Sequence, residues 1–317
     1  MLFPLTSKLK PSALLLVLML LLVPALASCS KSQNSGGGAT AAADAENAVQ
    51  IGVLVALDGT DKTRERYQPL FDELSEAVDQ PVRFVPLTQR SQFSYTEAGR
   101  VDFVITQPLV SLQLRRQYDT ELIATLSRPN TGTEFGGVIV VKADSPIQTS
   151  TDLAGKKGAC VSTTQAAGGC LFQMYHLRQE GINPLIDLTI SEVPSQDTIV
   201  QQVVDGEAEF GFVRTGHIEK MVEQGLLADG SAVRILDPIT DGYPVPHTTQ
   251  LYPEWAVSAT ADVPAGLVNK MQQAMLNIPA GDEALASAKI EQIVPTVDYS
   301  KLDALIDDLN LMARSDS

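Results

Sequence analysis

The stretch Gly158-Ala-Cys-Val-Ser-Thr-Thr-Gln-Ala-Ala-Gly-Gly-Cys-Leu-Phe172 contains a strand, a polar turn and a helix start in succession. Ala159, Cys160 and Val161 favour a β-strand, hydroxyls follow at Ser162, Thr163 and Thr164, and small residues open an amphipathic helix near Gly168. The first N–H groups of a helix have no partner within it, and its dipole is positive at that end. Such a junction suits an anion, and the three hydroxyls add donors. The same hydroxyls also suit a plain helix cap, so the stretch alone leaves both roles open.

Working outward, the alternation of strand and helix continues from Thr151 to Leu236. Strands are expected at 157–161, 188–193, 208–213 and 233–236, and helices at 168–180, 196–206 and 216–224. A βα series of this kind predicts a parallel-sheet lobe. A similar series precedes it. Ile51-Gly52-Val53-Leu54-Val55 reads as a buried strand, and Asp58 to Asp61 supply turn and cap residues. The following helix, 62–78, carries Tyr67, Leu70, Phe71, Leu74 and Val78 at helical spacing. Further strands are expected at 82–87, 101–105 and 122–126, with helices at 92–99 and 110–117. Phe135 to Val141 forms a long strand that crosses between lobes. Asp237 to Pro246, rich in Pro and Gly, reads as the return crossing. Thr248 to Thr260 rejoins the first lobe, which helices at 266–276 and 300–312 close.

The N-terminus belongs to neither lobe. Lys8 and Lys10 precede an apolar run from Ala13 to Val23, which is short for a membrane span, and Leu26-Ala27-Ser28-Cys29 follows. This is the pattern of a secretory signal over residues 1–28. Residues 29–48, poor in large apolar side chains, read as a flexible tether. Cleavage before Cys29 removes Lys8 and Lys10 and takes the formal charge from −15 to −17, with 21 basic residues against 38 acidic. Nucleic acid is therefore not an expected partner, although local donors can still hold a small anion. Setting Cys29 aside leaves Cys160 and Cys170, an even pair in an oxidising compartment, for which a disulfide is the default. The other possibility is a redox-active pair, since a thiol in the first turn of a helix is activated.

Several segments resemble the phosphate/phosphite/phosphonate-binding family of type II periplasmic binding proteins, the substrate-binding components of ABC importers. They are Tyr67-Gln68-Pro69-Leu70, Asp102 to Thr106, Asp152 to Lys156, Gly206 to Glu209, and His247 with Leu251-Tyr252-Pro253-Glu254-Trp255. Val213-Arg214-Thr215 and Leu251 to Trp255 look closest to a branch that also supplies sensor domains of histidine kinases, including tetrathionate sensors. Leu26 to Cys29 likewise resembles the bacterial lipobox, which implies lipidation of Cys29 and anchorage to a membrane of the cell envelope.

The resemblance implies an α/β fold of two lobes, each a mostly parallel sheet flanked by helices, joined by two crossover segments. On this reading lobe 1 is 49–143 plus 247–317, and lobe 2 is 144–246. The expected function is capture of a small oxyanion by a monomer for an ABC permease, with delivery of ligand state to a sensor kinase as the alternative. No cofactor or metal is expected.

The resemblance also places Ser162, Thr163 and Thr164 on an anion loop, Thr106 and Gln107 at the mouth of the first lobe, and His247 at a position often occupied by histidine in the family. Arg214 ends a strand and departs from the acidic residue usual in binders of amino-substituted phosphonates. A guanidinium there favours a dianion or a sulfur oxyanion. Asp197 and Thr198 begin another helix, where capping and ligand contact are both open. Trp255 is expected in the core, with His176 and His217 structural or solvent-facing. No HExxH, GxSxG or Gly-Lys-Ser/Thr phosphate loop points to an enzyme.

Overall fold

A computed structural model describes residues 47–55 and 59–312. The secretory signal, Cys29, nearly all of the tether and Asp58 lie outside the described residues.

In chain order the strands are β1 (Val49–Leu54), β2 (Val82–Leu87), β3 (Phe103–Thr106), β4 (Glu121–Ser127), β5 (Glu134–Phe135), β6 (Gly137–Lys142), β7 (Lys157–Cys160), β8 (Thr189–Glu192), β9 (Phe210–Arg214), β10 (Val233–Ile235), β11 (Tyr252–Pro253), β12 (Ala256–Ala259) and β13 (Gln292–Val294). The helices are α1 (Thr60–Val78), α2 (Ser91–Glu97), α3 (Pro108–Tyr118), α4 (Phe172–Gln179), α5 (Gln196–Asp205), α6 (His217–Glu223), α7 (Ala265–Asn277), α8 (Glu283–Ser287) and α9 (Ser300–Asp308).

Helix α1 shows how sequence becomes packing. Its apolar residues recur at helical spacing, and Tyr67, Leu70, Phe71, Leu74 and Val78 are all buried. They close over β1, whose Ile51 and Val53 are fully buried. Burying each such side chain stabilises the fold by about 1.5–3 kcal/mol. The helix stops at Asp79, which takes a left-handed conformation (φ 55°) and returns its N–H to Glu76 and Ser75.

Two sheets result. One has six strands in the order β13-β4-β12-β3-β1-β2, and the other has five in the order β10-β6-β9-β7-β8. Both are mixed, which corrects the expectation of mostly parallel sheets. β1 runs parallel to β2 and β3, whereas β12, β4 and β13 pair antiparallel. β7 is parallel to β8 and β9, whereas β6 and β10 pair antiparallel. The reason lies in the crossings. β6 and β12 are the first strands laid down after the chain changes sheet, and each enters against the direction of the βα strands already there or to come. The α/β class and the two-sheet plan stand as expected.

The long strand expected at 135–141 is broken. Glu134–Phe135 pairs antiparallel with Tyr252–Pro253, so the outward and return crossings are stitched together as a two-stranded ladder. Gly137–Lys142 then belongs to the five-stranded sheet, ahead of the boundary expected at 143. The C-terminal helix α9 does more than close the first sheet. Its Leu302, Leu305 and Ile306 share one core cluster with Phe172, Met174 and Leu177 of the second sheet's side. Arg116 of α3 fixes it on the other flank, through Asp303 at 2.8 Å and Asp307 at 2.6 Å.

Candidate functional site

Strand β7 ends at Cys160, the loop 161–166 turns, and residues Ala167–Leu171 form a π-helical turn that leads into α4. The wide turn is closed by the Leu171 N–H donating to Ala166 O, and the Phe172 N–H to Ala167 O. π-Turns inside helices recur at functional sites. Gly168 allows the turn to lie against its neighbours: a Cβ there would come within 2.8 Å of the Phe135 ring and 2.9 Å of Arg214 Cβ. Cys160 and Cys170 are joined by a disulfide, both fully buried, with their Cα atoms 5.2 Å apart. The disulfide therefore ties the end of the strand to the start of the helix across the loop.

Two adjoining cavities open beside this turn. The smaller, about 120 Å³, is lined by Ala166 to Gly169, Gln107, Gln196, Phe135, Trp255 and Arg214, and among the described residues no carboxylate lines it. The larger, about 410 Å³, shares Leu54, Arg214 and Trp255 with the first and extends towards Arg128, Tyr67 and Lys220.

Arg214 stands at their junction. Its N–H donates to Gln196 Oε1 at 2.7 Å, its guanidinium lies over the Phe135 ring at 5.0 Å, and Nη2 donates to Glu254 Oε1 at 3.0 Å. Glu254 is fully buried and also faces Arg128, whose Nε lies 3.6 Å from Oε2. Arg128 follows β4, lies over the Trp255 ring at 5.4 Å and donates to Lys289 O at 2.9 Å. One carboxylate thus sits between two guanidinium groups, one carried by each sheet. A second tie across the crevice is Gln107 Nε2, which donates to Gln165 O of the loop at 2.7 Å while Gln107 Oε1 caps α3 by accepting from Leu109 N.

Of the residues singled out in the sequence, Gln107 and Arg214 line the cavities. The three hydroxyls sit on the loop beside them. Ser162 Oγ and Thr164 Oγ1 are 3.3 Å apart, and Thr163 donates its N–H and hydroxyl to Glu192. Thr106 is fully buried and donates to Gln92 Oε1 at 2.7 Å, behind the crevice wall. Thr198 pairs with the N-cap Ser195. Asp197 lies 3.0 Å from His217 Nε2. Burial drives the His217 pKa from 6.5 down to about 4, with Asp197 opposing the shift and Lys220 and Arg214 reinforcing it. His247 is buried in the return crossing, bonded through Nδ1 to Thr249 O at 2.7 Å and through Nε2 to Asp241 at 3.2 Å. Trp255 packs, partly buried, against the core of the first sheet, as expected, and also walls both cavities.

Sequence reasoning passed over Arg128, Gln196 and the role of Glu254. Arg128 follows the carboxyl end of β4, and the rule that drew attention to Thr106 also covers that position. The pairing of Glu254 with two arginines from distant segments has no local signal.

The five- and six-stranded sheets with two crossings are the architecture of periplasmic binding proteins. The chain belongs to the family described as ABC transporter, phosphonate, periplasmic substrate-binding protein, which matches residues 54–300. Among solved structures it is similar to XAC2383 from Xanthomonas citri bound to chloride ion, with a TM-score of 0.67 and 18% identity, covering 84% of this chain and 98% of that one. It is also similar to PhnD1 from Prochlorococcus marinus in complex with methylphosphonate, with a TM-score of 0.65 and 16% identity, covering 84% and 99% respectively. Among curated proteins it is 30% identical over 237 residues to the tetrathionate sensor histidine kinase TtrS of Salmonella typhimurium. That match covers 73% of this chain and 39% of the kinase, so the chain spans about two fifths of that relative. The family is one of periplasmic substrate-binding proteins. No helix among the described residues is long and apolar enough to cross a membrane.

Proposed function

We propose that this chain is a lipid-anchored solute-binding protein, tethered through Cys29, that captures a small oxyanion between its two lobes as a monomer and delivers it to an ABC permease. The ligand class is phosphate, phosphite, a phosphonate or a sulfur oxyanion. The observation that carries the reading is the smaller cavity, where Arg214 faces the π-helical turn at Ala167 to Gly169 with no carboxylate among the described residues of the wall. An oxyanion there accepts from the guanidinium and from helix-start N–H groups, each charged hydrogen bond contributing about 1.5–3 kcal/mol. Ser162 and Thr164 lie on the same loop and become additional donors when it closes. Thr163 joins them only by leaving Glu192. Thr106, Asp197, Thr198 and His247 hold the walls and the return crossing in place.

A second reading, a ligand-binding module for a two-component kinase, is favoured by the likeness to the tetrathionate sensor. Isothermal titration with phosphate, phosphite, methylphosphonate, thiosulfate and tetrathionate tests the site itself, and silence across that panel contradicts it. Co-purification from membranes separates the two readings according to whether a permease or a histidine kinase is retained.

A further inference from the structure

Gln173 lies in the first turn of α4, directly after the π-helical turn, and is fully buried without lining either cavity. A buried amide is stable where its hydrogens find acceptors. Gln173 Nε2 donates to Val213 O at 2.7 Å, to Gly168 O at 2.8 Å and to Val138 O at 3.2 Å. An amide nitrogen carries two hydrogens, so the two short bonds take one each and the longer contact shares. The fit is close: a Cβ at Gly137 would come within 2.6 Å of the amide group.

The three carbonyls belong to the pieces that meet at the smaller cavity. Gly168 is in the π-helical turn, Val213 is the residue before Arg214 at the end of β9, and Val138 is in β6. The Val213 carbonyl and the Arg214 N–H are two sides of one planar peptide group. Gln173 of α4 holds the carbonyl side, and Gln196 Oε1 of α5 holds the N–H side at 2.7 Å. That plane is clamped by two glutamines from two helices, which sets the direction in which the Arg214 side chain leaves the strand. The same Gln173 nitrogen holds Gly168, whose Cα packs so near that a Cβ on it would lie 2.9 Å from Arg214 Cβ.

We infer that Gln173 is a positioning residue of the anion site. It touches no ligand, and its amide nitrogen fixes the π-helical turn and the Arg214 peptide at one separation, so that helix-start N–H groups and the guanidinium converge on the smaller cavity before an anion arrives. Donors preset in this way lose little freedom on binding. The inference rests on the proposed anion role of that cavity and adds the group that holds its two arms together.

Titration calorimetry with thiosulfate and with methylphosphonate tests it, each variant being compared with the wild-type protein at the same pH so that the probe's own titration cancels. Gln173→Met keeps the length and loses the donor, and is expected to weaken the tighter probe by about tenfold or more, the scale of one hydrogen bond. Leu177→Ala, in the buried core one turn further along α4, is expected to lower the urea midpoint while affinity stays within about threefold of wild type, since it touches neither arm. Gln173→Glu supplies a readout that a merely structural role would not move. A carboxyl at this place donates to a carbonyl only while protonated, and burial favours that form, so its affinity relative to wild type is expected to fall as pH rises from 5 to 9.5. Wild-type affinity in Gln173→Met, an equal loss in Leu177→Ala, or a pH-independent ratio in Gln173→Glu overturns the positioning role and leaves the oxyanion reading standing. No binding of either probe to the wild-type protein overturns both. If the Gln173 variants fail to fold, the side-chain amide resonances of Gln173 in the wild-type protein decide: they are expected to shift and to exchange more slowly when the probe saturates the site, and unchanged resonances overturn the role.

Discussion

Glu254 is fully buried between Arg214 at 3.0 Å and Arg128 at 3.6 Å, so its charge is compensated from both sheets. Removing one member of a buried ionic cluster leaves the others uncompensated, which costs about 3–5 kcal/mol. Glu254→Gln is therefore expected to lower unfolding free energy by an amount in that range in urea titration, and a loss below about 1 kcal/mol contradicts the role assigned to it. His217 carries a different signature. Its folded pKa lies below its unfolded value, so the unfolded chain binds the extra proton between pH 6.5 and about 4. Its contribution is complete above that window and is lost as pH falls through it, by up to roughly 3 kcal/mol. His217→Gln is expected to flatten the decline in stability between pH 7.5 and pH 4.5, and an unchanged decline contradicts this. Arg214 was visible in the sequence because it ends an apolar strand. The local sequence also shows the pair Glu254-Trp255, but it does not show that Arg128, more than a hundred residues away, completes the cluster.

At the level of elements, the loop from Cys160 to Cys170 is held at both ends by a bond rather than by length or propensity. The ten-residue separation corresponds to about 2–3 kcal/mol by the loop-entropy account. Replacing both cysteines with serine is expected to cost that much stability and to weaken anion affinity, because the N–H groups of the π-helical turn are no longer held against Arg214. Unchanged urea midpoint and affinity in the double variant contradict a structural role for the bridge. Strand, turn and helix start were all legible here, since each follows from side-chain type and spacing. The π-turn was not. It depends on Gly168 packing under Phe135 and Arg214, residues supplied by the crossing segment and by β9. Thr106, Thr198 and His247 hydrogen-bond in the structure to Gln92, to Ser195, and to Asp241 with the Thr249 carbonyl, respectively, partners that side-chain type alone did not announce.

For the whole molecule, hydrophobic alternation was enough to reveal two α/β layers, because buried strands and one-faced helices differ in period. Strand direction was less legible: β6, β10, β12 and β13 carry the same apolar character whether they pair parallel or antiparallel, and only the crossings decide. The stitching of β5 to β11 and the bridging position of α9 depend on contacts between segments far apart in the chain. These features bring one arginine from each sheet to the wall of a shared crevice, the proposed anion site. The most direct measurement is isothermal titration of the wild-type domain and of Arg214→Gln with the oxyanion that binds most tightly in the panel. Loss of one charged hydrogen-bonding group predicts a fall in affinity of about ten- to a hundredfold. Equal affinity in the two proteins, with the variant folded, contradicts the assignment of this crevice as the anion site.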